Sequence, residues 1–509
     1  MTAIDWAVLA LYTATVVALG VWAGRREEDT DDFFLAGRSM GWIPVAASSL
    51  ATSLSALTFI GVPGAAFGGS FVYLQLGVGN FLGYYLLSRW FLPRFYELRV
   101  TTVYELLGHR FGLKSRTAAS IFFMFSRVLA SGVRLAGCAI AVSVFFGLGL
   151  KTAIVCIAAF ALLYTVTGGI KAVIWTDMLQ LALFVLGASA SLIVIWNALP
   201  GGFSQFLYDG AAAGKFEVFR FSFDLADPKN FWSGNIFALV IGLAVGACDQ
   251  DLAQRMLTCK NVGESKKAAW AAGIAPIFTS LLFLSVGASL FVYYQVFPDA
   301  AAAQLVADGR NDWIFPHFIV TALPAGLRGL LVAGLLAAAM SSLDSALNGL
   351  ASTAFIDVYK PHWARGREVP DAEALRFSRG FVVAFAVILA VTAMIFGRQP
   401  SILWFGLQAM GWTYGGLLGL FLLAIFTEKP ISETGNIAAM VSSVAVVLFF
   451  TKDLFPAATA ARECVLRALS YLPLFPLGVK VIGWSLGIVI GTVWTYVVAS
   501  YWPGGKARA

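Results

Sequence analysis

GLLAAAMSSLDSALN, residues 334–348, is a run of small apolar residues interrupted by Ser341, Ser342, Asp344 and Ser345. At 3.6 residues per turn Ser341 and Ser345 lie one turn apart, and Asp344 lies three residues from Ser341. One helical face therefore carries four oxygen-bearing side chains. A carboxylate inside an apolar span is costly unless it meets a cation or a partner, so an intramembrane acid reads as a functional residue. Hydroxyls, carboxylates and freed carbonyls suit a hard cation, Na⁺ or H⁺, whereas thiols or imidazoles would suit a softer metal. The plain alternative is that these serines only permit close helix packing and bond back to their own helix.

Composition gives the stretch its setting. The chain has 509 residues, 59% of them hydrophobic and only 12% charged, about half the charged share of a soluble domain. This is an all-α polytopic membrane protein, one transmembrane domain over 1–509, with the lipid bilayer as its solvent. The net charge of +7 invites a nucleic-acid reading, but the basic residues sort by membrane side, which argues against one. None of the cysteines at 138, 156, 248, 259 and 464 forms a CxxC pair. The three histidines, His109, His317 and His362, lie in or near loops. Neither a disulfide framework, a thiolate metal site nor a histidine-based triad is indicated, and the chain is not expected to be an enzyme. There is no P-loop, so ATP is not expected to drive it.

Apolar runs of spanning length fall at 4–24, 41–62, 71–92, 118–147, 151–168, 173–198, 233–253, 268–295, 326–350, 377–397, 401–426, 433–451 and 474–501, which makes thirteen. The loops after the odd-numbered spans and the span ends that border them, with the C-terminal tail, hold 22 of the 35 Lys and Arg residues. By the positive-inside rule the N-terminus is outside and the C-terminus cytoplasmic. An acidic flank before the first run and a basic one after it make that run a retained span, since a signal peptide has the reverse order. The short loops favour a bacterial inner membrane.

Two spans carry weak points. The second, GWIPVAASSLATSLSALTFIGVPGAAFGG (41–69), crowds Ser48, Ser49, Thr52, Ser53, Ser55 and Thr58 into its middle and ends on Gly61, Pro63 and Gly64. The seventh sets Gly242 and Gly246 ahead of Asp249. A pair of interrupted helices five spans apart is the mark of inverted repeats in a secondary transporter, with the site between them. The fourth span carries Arg127 and Arg134. Arg134 falls near the bilayer centre, where its planar fork suits either a solute carboxylate or an ion pair with Asp249. Arg127, nearer the cytoplasm, is expected to snorkel to the interface.

These residues together resemble the sodium:solute symporter family. GGIKAVIWTDMLQ (168–180) follows the family signature closely. DDFFLAGRSMGWIPVAASSLATSLSALTF (31–59), the pattern Asp249, Gln250, Gln254, Arg255, and MSSLDSALNGLASTAFIDVYK (340–360) match in the expected order. The resemblance implies a LeuT-type fold: an extra first helix (4–24), inverted five-helix repeats over 41–198 and 233–426, and two C-terminal helices (433–501). It implies one Na⁺ site at the carbonyls of Ala51, Leu54 and Ala338 and the hydroxyls of Ser341 and Ser342. A second cation site found in some members would use Asp177, Ser341, Asp344 and Ser345. Position 344 is usually Ser or Thr in the family, and the carboxylate here leaves open whether Na⁺ or H⁺ binds and whether one or two cations are used. By the same resemblance a solute cavity would draw on Ser53, Ser55, Thr58, Gln75, Arg134, Trp404 and Phe405.

The expected activity is Na⁺-coupled import of a small organic solute by alternating access, the solute bearing a carboxylate such as sialic acid or a monocarboxylate. The open alternatives are H⁺ coupling or a sugar or amino-acid solute. Outside the class stand an ion channel, which would show a pore-loop motif, and a membrane sensor, which would carry a long signalling domain where only WPGGKARA follows residue 501.

Overall fold

The computed structural model describes residues 2–24, 35–54, 56–164, 170–222, 227, 229–363, 371–397, 402–450 and 484–502. Among these residues the regular structure is helical. Its single bridge pairs Met40 with Cys259.

Helix α1 (Ala3–Gly24) precedes a broken pair, α2 (Trp42–Ser53) and α3 (Ala56–Gly68). A short 3₁₀ turn, Phe71–Gln75, leads into α4 (Leu76–Leu86), which passes through a π-helical turn at Leu87–Phe91 into α5 (Leu92–Glu97). Then follow α6 (Tyr104–Phe111), α7 (Leu113–Phe146), α8 (Leu150–Tyr164), α9 (Ile170–Ala198) and α10 (Gly202–Ala212). The second half holds α11 (Phe231–Cys248), α12 (Gln250–Leu257), α13 (Val262–Val296), α14 (Ala300–Ala307), α15 (Ile314–Thr321) and α16 (Leu327–Thr353). It ends with α17 (Asp371–Phe396), α18 (Ile402–Phe426), α19 (Glu433–Phe450) and α20 (Gly487–Tyr501).

Among the described residues six helices are long and apolar enough to cross a membrane, and the bent pair α2–α3 adds a seventh if it is one span. Shorter apolar helices occupy Ala3–Val16, Leu150–Ala159, Leu327–Leu336, Gly380–Phe396 and Gly487–Tyr501. Helix α16 extends over 27 residues and carries the serines in its second half.

The break between α2 and α3 has local causes. Thr52 Oγ1 donates to the Ser48 carbonyl (2.9 Å) and Ser53 Oγ to the Ser49 carbonyl (2.9 Å), a competition that loosens a helix end. Leu54 then leaves the helix at φ −78°, ψ 73°, and the chain resumes bent by 59°. Pro63 removes a donor from inside α3. Gly287 of α13 packs on it so closely that a Cβ would lie 2.1 Å from the Pro63 carbonyl oxygen.

The second break differs from expectation. Gly242 and Gly246 do not interrupt α11, which is continuous to Cys248. A Cβ at Gly246 would meet Leu87 at 2.4 Å, so the glycine serves the close approach of α11 to α4. The interruption falls at Asp249 (φ −90°, ψ 112°), whose carboxylate accepts from the Asp251 amide and caps α12. Helix α9 lies against α2 and α16, and α1 lies against α9 and α16, which brings Asp177, the break and the serine-bearing helix into one neighbourhood.

Candidate cation and solute site

A buried cluster of charges joins the two halves. Arg127 of α7 donates to Asp249 Oδ2 (2.8 Å) and Asp251 Oδ2 (2.5 Å). Arg255 of α12 donates to Asp251 Oδ1, to Ser48 Oγ (3.0 Å), to Ser345 Oγ (3.0 Å) and to Asp177 Oδ2 (3.3 Å). Asp177 also accepts from Ser48 Oγ (2.6 Å) and, at 3.5 Å, from Thr52 Oγ1. Tyr414 donates its hydroxyl to Asp249 Oδ2 (2.8 Å), and Tyr104 to the Cys248 carbonyl (2.6 Å). None of the five charged side chains is more than 4% exposed. Three carboxylates face two guanidinium groups here, and a third arginine, Arg134, lies within electrostatic range of Asp249 and Asp251.

The residues expected for the first cation site fall at the break and in α16. Ala51 is in the last turn of α2 and Leu54 caps it, so their carbonyls stand at the break. Ser342 is 5% exposed, and the backbone of Ala338 and Ser341 is within α16. For the second site the structure brings Asp177 and Ser345 together on one nitrogen, Arg255 Nη2. The side chains of Ala338, Ser341 and Asp344, and the whole of Ser55, lie outside the described residues.

A cavity of about 170 Å³ opens beside the break. Ser53 and Thr58 line it as expected, with Tyr73, Asn80, Tyr84 and Ser280 as further polar lining. Sequence reading missed Asn80 and Ser280 because each is a single polar residue in an apolar helix, with no spacing to mark it.

Three expectations need correction. Gln75 does not face a solute: its Nε2 donates to the Lys229 carbonyl (2.7 Å) and its Oε1 accepts from the Arg220 amide (3.2 Å), so both ends are committed to the chain. Phe405 packs between Phe396 and Trp412 (ring centroids 5.2 and 5.9 Å), outside the cavity lining. Arg127 does not snorkel: it is 2% exposed, and the ion pair with Asp249 considered for Arg134 belongs to it. Trp404 stands behind the wall, its ring 6.0 Å from that of the cavity residue Tyr73. Arg134 is half-buried, makes no hydrogen bond or ion pair among the described residues, and lies within electrostatic range of Asp249, Asp251 and Tyr84.

The model of the sodium:solute symporter family matches residues 33–443, four-fifths of the chain. The chain belongs to this family. As a sodium:solute symporter it shares 31% identity over 458 residues with the sodium/sialic acid symporter SiaT of Proteus mirabilis, covering 87% of this chain and 89% of that one. It is 29% identical to the sodium/glucose cotransporter of Vibrio parahaemolyticus over 88% of this chain and 84% of that one. It is 27% identical to human sodium-coupled monocarboxylate transporter 1, over 87% and 72% respectively. A solved structure of a Na⁺-coupled sialic acid symporter, in a substrate-bound outward-open state, superposes with a TM-score of 0.81 at 26% identity, covering 98% of this chain and 97% of that one. The symporter thus couples Na⁺ to the movement of a small organic solute across a membrane.

Proposed function

We propose that this symporter imports a carboxylate-bearing solute of the sialic acid or monocarboxylate kind, held in the cavity beside the break with its carboxylate on Arg134. One observation carries the reading: among the described residues Arg134 makes no hydrogen bond or ion pair, and it lies within electrostatic range of the cavity wall residue Tyr84. A guanidinium away from bulk water needs an anion, and its fork takes a carboxylate through two charge-assisted hydrogen bonds. The solutes of the relatives, sialic acid and monocarboxylate among them, support the class; the glucose cotransporter keeps a sugar as the second reading.

Na⁺ at the carbonyls of Ala51 and Leu54, the Ala338 carbonyl and the hydroxyls of Ser341 and Ser342 would hold the α2 end against α16. A second cation at Asp177, Ser341, Asp344 and Ser345 would take the place of the Arg255 guanidinium on Asp177 and Ser345, leaving Arg255 to Asp251. The meeting of Asp177 and Ser345 on one Arg255 nitrogen supports that exchange. Thirteen spans in inverted repeats, an outside N-terminus, a cytoplasmic C-terminus and a bacterial inner membrane complete the reading, with alternating access rather than chemistry as the work done. At a potential of about 100 mV each ion contributes ~2.3 kcal/mol, and each tenfold gradient ~1.4 kcal/mol.

The test is thermal unfolding of the purified protein with carboxylate, sugar and amino-acid solutes, each in Na⁺ and in choline. A carboxylate solute that raises the melting temperature only in Na⁺ is the expected result. Stabilisation by sugars alone would overturn the carboxylate assignment. Equal stabilisation in both salts, growing at acid pH, would assign the cation as H⁺.

A further inference from the structure

The connection after α10 reaches back across the end of α3 through one residue. Lys215 is 5% exposed, and its Nζ donates to the carbonyls of Phe67 (2.7 Å), Gly69 (3.0 Å) and Ala66 (3.4 Å), while lying 3.7 Å from the centre of the Phe291 ring. Its carbonyl accepts from the Phe71 amide (3.0 Å), and its own amide donates to the Gly210 carbonyl (2.9 Å). A helix end leaves carbonyls without partners and carries a partial negative charge, and an ammonium brings three donors and a full positive charge to it. Burying that ammonium is costly. A methionine would fill similar space without the cost, so the group is there for the carbonyls it holds.

The next five residues, Phe71–Gln75, are fixed at their far end as well. Gln75 gives both ends of its amide to the same connection, at Arg220 and Lys229. Between these two anchors lie Tyr73 and Leu74, which line the cavity. Lys229 in turn lies 5.6 Å from the Trp404 ring, which meets Tyr73 edge-on. The connection thus braces the cavity wall against both α3 and α18.

We propose that Lys215 is a positioning residue for solute recognition, setting the place of Tyr73 and Leu74 by holding the end of α3. The inference rests on reading the cavity as the solute site.

The experiment compares wild type, K215M and K215R in two measurements. One is Na⁺-driven uptake of N-acetylneuraminate into proteoliposomes; the other is amide hydrogen exchange over residues 67–76 of the purified protein. K215M is expected to raise KM about tenfold, the equivalent of ~1.4 kcal/mol, with the maximal rate little changed, and to speed exchange over 67–76. K215R keeps a cationic donor for the same carbonyls and is expected to restore both. An unchanged KM in K215M, unchanged exchange, or a K215R protein that behaves like K215M would overturn the proposal. If wild type takes up no N-acetylneuraminate, the solute reading fails separately, and the exchange comparison alone then decides whether Lys215 holds the wall.

Discussion

Replacing Arg127 and Arg134 one at a time by methionine separates the two arginines that the fourth span sets seven residues apart. Arg127→Met leaves Asp249 and Asp251 buried without their guanidinium, at no more than 4% exposure each. Part of the loss is covered, because Asp249 still accepts from Tyr414 and Asp251 still pairs with Arg255. Breaking a buried pair by removing one partner costs about 3–5 kcal/mol, because the other charge stays behind uncompensated. With the remaining partners in place, the lower end of that range, ~3 kcal/mol, is expected. Arg134→Met breaks no hydrogen bond or ion pair to the described residues, and the same measurement should move by under ~1 kcal/mol. The assay is equilibrium unfolding of the purified variants in mixed micelles, followed by tryptophan fluorescence, with solute-dependent stabilisation read on the same samples. The expected pattern is crossed: Arg127→Met loses stability, while Arg134→Met folds well and loses the stabilising effect of the solute. Arg127→Met with wild-type stability would refute the argument from the charge cluster, and Arg134→Met with full solute response would refute the carboxylate role.

Other expected outcomes follow from separate parts of the molecule. Asp5, fully buried at the start of α1, accepts from the amides of Gly326 (2.8 Å) and Gly329 (3.0 Å) and from Arg328 (3.0 Å), so it caps α16 from a neighbouring helix; Asp5→Ala should cost about 1–2 kcal/mol of unfolding free energy, measured in the same micelles. Asp344→Asn should weaken Na⁺ activation of uptake and change its cooperativity, and unchanged Na⁺ dependence would remove Asp344 from the second site. Burial lowers Lys215 from 10.5 to about 8, so between those values the folded protein has given up a proton that the unfolded chain retains, and stability from this group rises with pH. Every other titratable group is common to wild type and Lys215→Met. The difference between the two melting curves across about pH 8 to 10 should therefore isolate that rise, and a flat difference would contradict it.

Much of this molecule is determined by the sequence alone, because a bilayer removes the alternatives. Apolar runs must be helical to satisfy their backbone, so helix, loop and the oxygen-bearing face of 341–345 follow from composition and period. The break after Ser53 is equally local: serines and threonines that bond back to their own carbonyls announce it in the residues themselves. The partners of charged side chains are not local. Arg127 and Arg134 look alike along the chain, and only the position of Asp249 and Asp251, more than a hundred residues away, makes one a structural ion pair and leaves the other without a hydrogen bond or ion pair among the described residues. The same holds for Gln75, polar and well placed by sequence, yet committed to a connection some 150 residues on, and for Gly242 and Gly246, whose meaning is a neighbouring helix and not a bend. Period and propensity act over a few residues, whereas the pairing of a buried charge depends on which helices the completed bundle sets side by side, and that was decided by the tertiary structure.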